Sequence, residues 1–353
     1  MRVCFFGAYD SGYPRNRILR QGLERHGHTV IEARVRERRA FRRYPALAAA
    51  FGRAGLSSDV LLVPEFRHKD VPLARLLAGR RPLVFDPLVS RVDTLVEDWG
   101  LHGAGSGQAR WNSWIDRLSF ACSDRVLCDT WAHGGLFASL GVPWSRLRRV
   151  PVGAEDEFFQ IGEAESAESV RLIYLGGFLP LHGTGAILEA LAILERRTGV
   201  PPFRAVLAGR GIEWERCRER AAGLRIRHVE FPGSIPYSEA PHLFAGADIV
   251  LGAFGSGAKA GRVVPHKVWQ GLAAGRAVVS GNGEGLREWF TSGVHLDAAE
   301  RGDPEDLANV LERLIADPSR RARLGAAGRA RVLEMGSPDR VGAAVSRVIE
   351  ELA

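Results

Sequence analysis

The chain has 353 residues, of which 46% are hydrophobic and 25% charged, and its formal net charge at pH 7 is +7. These are the proportions of a globular protein, and the chain has no apolar run as long as a membrane span requires. Its first residues, MRVCFFGAYD, lack the long apolar segment and small-residue cleavage site of a signal peptide.

Apolar runs of strand length alternate with helical patterns through the first half of the chain. The runs lie at 2–7, 28–33, 59–64, 82–87 and 125–129. After the first run, Ile18, Leu19 and Leu23 recur at helical spacing, and Gly27 provides a C-terminal stop. Such alternation predicts α/β layers around a parallel sheet.

A polar, acidic segment, DEFFQIGEAESAES, follows the first half and has the composition of a linker. The alternation then restarts, with strands predicted at 170–176, 203–209, 228–231, 248–252 and 277–280. We predict two doubly wound, Rossmann-like domains at 1–165 and 166–336, and a last helix within 337–353 that crosses back to the first domain. Two such domains would place the ends of their strands on a shared cleft.

Glycine-rich turns follow several of the predicted strands. They read GAYDSG (7–12), GGFLPLHGTG (176–185) and AGRGIE (208–213). Glycine lets backbone N–H groups approach a phosphate, and a helix N-terminus adds partial positive charge. None of the turns matches G-x-G-x-x-G after the first strand, which disfavours a nicotinamide cofactor.

The segment GSGAKAGRVVPHKVWQ (255–270) concentrates cations where a helix is predicted to begin. Lys259 and Lys267 are two of only three lysines in the chain, and Arg262 lies between them. If the helix begins at Pro265, Lys267 lies in its first turn, where a cation opposes the helix dipole by about 0.3–1 kcal/mol. A bound anion would reverse this effect, and a diphosphate is the natural candidate. The alternative is a solvated basic loop.

Three segments of the second half resemble the retaining glycosyltransferases of family 4, which have the GT-B fold. They read RLIYLGGFLPLHGTGAILEALAIL, VEFPGSIPYSEAPHLFAGADIVLGAF and RVVPHKVWQGLAAGRAVVSGNGEGLRE. With GAYDSG and DPLVSRVDTLVED (86–98) in the first half, the resemblance covers most of the chain, although residues 34–58 resemble no segment of the family. It implies a GT-B architecture with an acceptor-side domain at 1–165 and a nucleotide-sugar-binding domain at 166–336.

The resemblance also implies which residues bind a nucleotide-diphosphate sugar. Those expected at the diphosphate are Gly7, Gly12, Gly176, Gly177, His182, Lys259, Arg262 and Lys267. Those expected elsewhere on the donor are Arg210 and Ile235 at the base, Gln270 at the ribose, and Gly283 and Glu284 at the sugar. The candidate catalytic residues are Lys267, Arg262, Asp86 and His182, with Asp86 positioning the acceptor.

The chain departs from the family pattern at several of these positions. Many members carry an arginine and a lysine in the phosphate loop, where this chain has Gly177 and His182. Many carry two glutamates where this chain has Arg262 and Gln270, and a histidine where it has Asp86. The chain most resembles a subset with an Arg-x-x-Pro-x-Lys segment, which reads RVVPHK here.

These observations predict a retaining, metal-independent glycosyltransferase. The donor would be a UDP-, GDP-, ADP- or TDP-linked sugar, and the acceptor a hydroxyl of a glycan, a lipid-linked molecule or a small molecule. We expect no metal, because the sequence contains neither an Asp-x-Asp pair nor His/Cys ligand spacing, and no further cofactor. Two alternatives stay open: a GT-B-fold nucleotide-sugar epimerase using Asp10, Glu284 and Glu288, and a pseudo-glycosyltransferase or non-catalytic partner.

The basic excess lies entirely in the first half of the chain. Residues 1–160 contain 24 basic and 17 acidic residues, and RVRERRAFRR (34–43) is a dense part of this excess. The excess can attract an anionic partner, and peripheral contact with an anionic membrane is the alternative to a solvated face. Without interleaved aromatics or a recognition module, nucleic-acid binding is not expected. Four cysteines without a C-x-x-C pair are typical of a cytoplasmic protein.

Overall fold

The structure is a computed structural model, and it describes residues 1–37, 39–163 and 168–352. The chain divides into two compact domains, each built on its own parallel sheet. The N-terminal domain comprises Met1–Val152 and the segment that begins at Ser337, and the C-terminal domain comprises Gly153–Gly336. The predicted boundary near residue 165 lies outside the described residues.

The N-terminal domain contains a six-stranded parallel sheet. Its strands are β1 (Arg2–Gly7), β2 (Thr29–Arg34), β3 (Val60–Val63), β4 (Leu83–Phe85), β5 (Arg125–Cys128) and β6 (Leu147–Arg149). The helices between them are α1 (Pro14–Arg25), α2 (Ala40–Ala54), α3 (Val71–Ala78), α4 (Gly107–Ala121) and α5 (Trp131–Ser139). The strand order is β2-β1-β3-β4-β5-β6. Strands β3 and β4 are buried throughout because helices cover both faces of the sheet.

The C-terminal domain repeats this architecture. Its strands are β7 (Val170–Leu175), β8 (Phe203–Ala208), β9 (Val229–Gly233), β10 (Ile249–Leu251), β11 (Ala277–Gly281) and β12 (Asp297–Ala299). Its helices are α6 (Asp156–Phe159), α7 (Thr184–Arg196), α8 (Trp214–Gly223), α9 (Ala240–Ala245), α10 (Ala258–Arg262), α11 (His266–Ala273), α12 (Glu284–Trp289), α13 (Pro304–Ala316) and α14 (Pro318–Met335). The strand order is β12-β11-β10-β7-β8-β9. The predicted α/β class with two parallel sheets is confirmed.

The last helix, α15 (Pro338–Glu350), belongs to the N-terminal domain and packs against α1. The two helices cross at Gly22 and Gly342, where a Cβ atom added to Gly22 would lie 2.6 Å from the Cα atom of Gly342. Helices α1 and α15 share one apolar core with the sheet, and α2 to α5 share a second core on its other face. The N-terminal sheet is therefore covered on both sides.

The strand orders locate the expected ligand edge of each domain. In an open α/β sheet, ligands bind beyond the carboxyl ends of the strands where the strand order reverses direction. The reversal falls between β1 and β3 in the N-terminal sheet and between β7 and β10 in the C-terminal sheet. Gly7 ends β1, and Gly176 directly follows β7. Both predicted phosphate loops thus begin at a reversal point.

Candidate functional site

Lys267 lies in the first turn of α11, buried inside the C-terminal domain. The helix begins at His266 and not at the predicted Pro265, because Pro265 has an extended ψ of 153° and forms the N-cap. The Lys267 side chain is only 4% exposed. Its Nζ lies 3.8 Å from the centroid of the Tyr174 ring and has no hydrogen-bond partner among the described residues.

Burial lowers the pKa of Lys267 well below its usual value. Removing an unpaired cation from water costs several kcal/mol, and a cation–π contact offsets about 2 kcal/mol of that. An anion beside Nζ would provide the missing stabilisation of the charged form. Lys267 is therefore not part of a solvated basic loop, and its predicted contact with an anion stays a prediction.

Because Gly176 has no side chain, the Lys267 side chain can occupy the space beside it. A Cβ atom at Gly176 would lie 2.7 Å from the Lys267 Nζ, which is closer than any ordinary contact. Gly176 also has a φ of 153°, which favours glycine. The glycine therefore brings the backbone of the loop after β7 directly against the cation.

The next residues of this loop are held together by hydrogen bonds to one carbonyl group. The Tyr174 hydroxyl and the His182 Nδ1 both donate to the Gly177 carbonyl oxygen. Burial lowers the pKa of His182 well below its usual value, and the charges of Lys267 and Lys259 lower it further. His182 is thus a neutral imidazole with its proton on Nδ1 and a lone pair on Nε2.

The other two cations of the predicted cluster lie on α10. Lys259 is 5% exposed and Arg262 is half-buried, so neither extends into bulk solvent. The charge of Lys259, like that of Lys267, lowers the pKa of His182. Together with Lys267, Lys259 therefore gives this loop a positive environment.

Gly283 and Glu284 lie where α12 packs against α10. A Cβ atom at Gly283 would lie 2.6 Å from the Gly261 carbonyl oxygen, so Gly283 allows the two backbones to approach closely. Glu284 is the first residue of α12 and is exposed. The structure thus gives Gly283 a packing role, and the predicted contacts of both residues with a sugar stay predictions.

Gln270 contacts a buried glutamate that the sequence did not single out. Its Nε2 donates to Glu155 Oε2 at 3.1 Å and to the Tyr237 hydroxyl at 2.5 Å. The Tyr237 hydroxyl in turn donates to Glu155 Oε1 at 2.6 Å, and Glu155 is fully buried. Both hydrogens of the amide nitrogen are therefore used inside the protein, and the Gln270 side-chain oxygen is the atom left to accept a further bond.

Arg210 and Ile235, the residues predicted at the base, follow β8 and β9. The Arg210 guanidinium is exposed and lies 5.0 Å from the centroid of the Trp214 ring. The Arg210 carbonyl accepts from the Phe178 N–H at 3.1 Å, which joins this loop to the phosphate loop. Ile235 is half-buried. Both lie at the carboxyl ends of the strands, the edge at which a ligand is expected.

In the N-terminal domain, carboxylates accept hydrogen bonds from backbone N–H groups at or next to the predicted glycines. The Gly12 N–H donates to Asp10 Oδ1 at 2.9 Å, and the Ala8 N–H, directly after Gly7, donates to Asp70 Oδ2 at 3.0 Å. Gly7 itself has a φ of 142°, which favours glycine. The phosphate contacts predicted for Gly7 and Gly12 stay predictions.

Asp86 lies at the carboxyl end of β4 and is 1% exposed. Its two oxygens accept from the Arg15 guanidinium at 2.8 and 3.2 Å. Arg15 also donates to the Pro151 carbonyl. Glu65, which follows β3, is equally buried, and this burial together with the Asp86 carboxylate raises the pKa of Glu65 to about 8. Asp86 is thus part of a buried network, and its predicted role toward an acceptor stays a prediction.

The sequence did not reveal several members of these clusters, including Tyr174, Glu155, Tyr237 and Glu65. Tyr174 lies in an apolar run with its neighbours on β7. Glu155 lies just before the acidic segment that was assigned to the linker. Their positions depend on contacts between residues far apart in the chain. For Glu65, the available signal was a carboxylate two residues after a buried strand.

Among the described residues, no group of three or more His, Cys, Asp or Glu side chains is arranged to hold a metal ion. Within the same part of the chain, every helix is too short or too polar to cross a bilayer.

The chain is similar to known proteins in a family model and in two curated relatives. Residues 186–343 match a family model described as "Glycosyl transferase-like". The chain is 28% identical over 207 residues to a GDP-mannose-dependent alpha-(1-6)-phosphatidylinositol monomannoside mannosyltransferase of Mycolicibacterium smegmatis, covering 55% of this chain and 53% of the relative. A GDP-mannose-dependent monoacylated alpha-(1-6)-phosphatidylinositol monomannoside mannosyltransferase of Corynebacterium glutamicum is 27% identical over 177 residues, covering 49% and 45%. The chain thus spans about half the length of the curated relatives it matches.

Solved structures resemble the whole chain. Anabaena HepE in complex with UDP and glucose superposes with a TM-score of 0.73, 16% identity and coverage of 100% of both chains. Sucrose-phosphate synthase from Thermosynechococcus elongatus superposes with a TM-score of 0.74, 14% identity and coverage of 100% of this chain and 99% of the other. The chain therefore has the GT-B fold, with two Rossmann-like domains.

Proposed function

We propose that this protein is a glycosyltransferase that moves a sugar from a nucleotide-diphosphate sugar to an acceptor hydroxyl. The observation that carries the proposal is the buried Lys267 Nζ, which has no hydrogen-bond partner among the described residues and lies against the backbone of Gly176. A diphosphate bound there would neutralise a charge that the protein leaves uncompensated. The match of residues 186–343 to a glycosyl transferase-like family supports the assignment.

The chemistry proposed for Lys267 is stabilisation of the leaving group. As the bond between the sugar C1 and the phosphate oxygen breaks, negative charge develops on the diphosphate, and a fixed cation lowers the energy of that state. Lys259 and Arg262 add to this charge, and we propose that these three cations make a metal ion unnecessary. The acceptor oxygen then bonds to C1 and its proton passes to the leaving phosphate.

Retention of the anomeric configuration is part of the proposal. It is supported by the resemblance of RVVPHK and of the loop after β7 to retaining glycosyltransferases. In a retaining reaction, the acceptor oxygen enters on the face of the sugar that the diphosphate leaves. The acceptor's proton is then close to the leaving phosphate oxygen, so no separate general base is needed.

His182 has a different proposed role from the cations. Because its Nδ1 donates to the Gly177 carbonyl, its Nε2 is an acceptor and cannot donate to a phosphate. We therefore propose that His182 accepts a hydrogen bond from a hydroxyl group of the donor. The Gln270 side-chain oxygen would accept from the ribose, and Arg210 with Ile235 would flank the base.

The names of the similar proteins favour particular donors and acceptors for the proposed reaction. HepE was solved with UDP and glucose, and the names of the two mannosyltransferases specify GDP-mannose and a phosphatidylinositol mannoside. We propose a UDP- or GDP-linked hexose as the donor, and a glycan or a lipid-linked molecule as the acceptor.

A transfer assay with UDP- and GDP-linked sugars and a panel of acceptors tests the proposal, with NMR reading the anomeric configuration of the product. Lys267→Ala should lower kcat/KM by about 10²-fold, the scale of a lost charge-stabilising donor. Lys69→Ala, which removes an exposed lysine of the N-terminal domain, is the matched control and should leave the rate unchanged.

Three results would overturn the proposal. A new sugar isomer formed without any acceptor would identify an epimerase. Nucleotide binding without turnover on every acceptor would favour a non-catalytic partner. Full activity of Lys267→Ala would remove Lys267 from the site.

A further inference from the structure

The outer surface of the helices α2, α3 and α4 exposes large apolar side chains. These helices cover the same face of the N-terminal sheet, and α3 packs against both α2 and α4. Five large side chains on them or directly after α2 are between 47% and 77% exposed: Phe41, Leu56, Leu76, Trp111 and Trp114. We call these five residues the apolar face.

Trp111 and Trp114 form the most ordered part of the apolar face. They lie three positions apart on α4, and their rings stack with centroids 5.0 Å apart and an interplanar angle of 22°. An indole ring combines a large apolar surface with one N–H donor, and such rings are enriched at the boundary between lipid and water. The three tryptophans of the C-terminal domain, Trp214, Trp269 and Trp289, are all buried.

The exposed charges on the three helices have one sign. Arg42 and Arg53 on α2 and Arg110 and Arg117 on α4 are exposed. The three helices contain one acidic residue, Asp116, and it is fully buried. Exposed carboxylates lie outside these three helices, at Asp59 after α2 and at Glu97 in the π-helical turn Asp93–Asp98. The surface thus combines apolar rings with arginines, and its helices expose no carboxylate, unlike the mixed charges of an ordinary solvated face.

We propose that the apolar face is a docking surface for an anionic lipid bilayer. Arginines attract anionic headgroups, while tryptophan, leucine and phenylalanine side chains enter the boundary region. A symmetric contact of these helices with a second copy of the chain is disfavoured, because it would place arginines against arginines and the helices expose no carboxylate to pair with them. The proposal does not depend on sugar transfer, and it gives the basic excess of the first half a specific location.

Co-sedimentation of the full chain with vesicles tests this proposal. The protein should bind phosphatidylcholine vesicles containing about 30% phosphatidylglycerol, bind pure phosphatidylcholine weakly, and dissociate as NaCl screens the charges. Trp111→Ser/Trp114→Ser should weaken binding to the anionic vesicles about tenfold or more. Arg110→Gln/Arg117→Gln should reduce the dependence on phosphatidylglycerol.

A matched control is available in the C-terminal domain. Val294 and Leu333 are 50% and 47% exposed, so Val294→Ser/Leu333→Ser removes two half-exposed apolar side chains, smaller than tryptophan, at another place on the surface. This variant should bind vesicles like the wild type. Unfolding temperatures of all variants confirm that they fold.

Three results would overturn the docking proposal. The first is that the wild type does not bind anionic vesicles, and the second is that the tryptophan variant binds them as well as the wild type does. The third is that light scattering shows a dimer for the wild type and a monomer for the tryptophan variant. The last result would identify the apolar face as an interface between copies of this chain. Each readout is independent of enzymatic activity.

Discussion

Lys267 and Tyr174 form a cation–π pair, with the lysine Nζ 3.8 Å from the ring centroid, and the tyrosine hydroxyl donates to the Gly177 carbonyl. Tyr174 therefore connects the buried cation to the phosphate loop through two parts of one side chain. Its ring stabilises the charge of Lys267, and its hydroxyl helps to fix the loop in which that charge would meet an anion.

This pairing predicts different effects for two substitutions at Tyr174. Tyr174→Phe keeps the ring under the cation and should weaken nucleotide binding by less than about threefold, because His182 still donates to Gly177. Tyr174→Leu removes the ring and should weaken binding by about tenfold. Isothermal titration with UDP and GDP measures both, and equal affinities for the two variants would contradict the pairing.

Gly176→Ala should abolish nucleotide binding and destabilise the fold. The added Cβ atom would lie 2.7 Å from the Lys267 Nζ, and a φ of 153° strains any residue other than glycine by about 1–3 kcal/mol. Gly185→Ala is the control, since a Cβ atom there meets nothing within 4 Å and alanine favours the helix α7. Thermal unfolding and nucleotide titration should separate the two variants, and wild-type affinity in Gly176→Ala would show that the loop tolerates a side chain there.

The buried contact between Gln270 and Glu155 predicts what happens when the amide and the carboxylate exchange places. Gln270→Glu alone would place two carboxylates together in a buried site and should destabilise the protein by about 3 kcal/mol or more at neutral pH, and by less in acid. Adding Glu155→Gln restores one amide and one carboxylate, and should recover most of that loss. Denaturant unfolding of the two single variants and the double variant measures the coupling energy. Additive effects would show that the pair does not interact.

Glu65 predicts a pH dependence of stability in the N-terminal domain. Burial and the Asp86 carboxylate raise its folded-state pKa to about 8, above its ordinary value of 4.5. Between these two values the folded state binds more protons than the unfolded state, so stability should fall as pH rises, by up to about 1.4 kcal/mol per pH unit. Glu65→Gln should flatten this slope. An unchanged slope in urea unfolding measured across this range would assign the pH dependence to other groups.

Much of the fold was predictable from the sequence because many of its strands are rich in apolar residues and largely buried. The runs at 59–64 and 203–209 are nearly continuous in apolar residues, and β3 and β8 lie within them. The strands β6 and β12 were not predicted. Each has only three residues, and β6 reads LRR, so neither shows a period that distinguishes it from a loop.

The candidate site was predictable where several residues of one segment share a chemical property. The three cations at 259–267 stand out because lysine is rare in this chain, and the structure buries Lys259 and Lys267. The partners of Lys267 and Gln270 were not predictable. Tyr174 lies on a strand and Glu155 in a distant segment, and the fold alone brings them to α11.

Titration of UDP and GDP into the Lys267→Met variant tests the central claim most directly. Methionine fills a similar volume without the charge, so unfolding should occur at the same or a higher temperature than in the wild type. Nucleotide affinity should fall by roughly tenfold to a hundredfold, the contribution of a charge-assisted hydrogen bond. Lys69→Met should bind as the wild type does. If Lys267→Met instead binds both nucleotides with wild-type affinity, the diphosphate does not contact Lys267 and the proposed site is wrong.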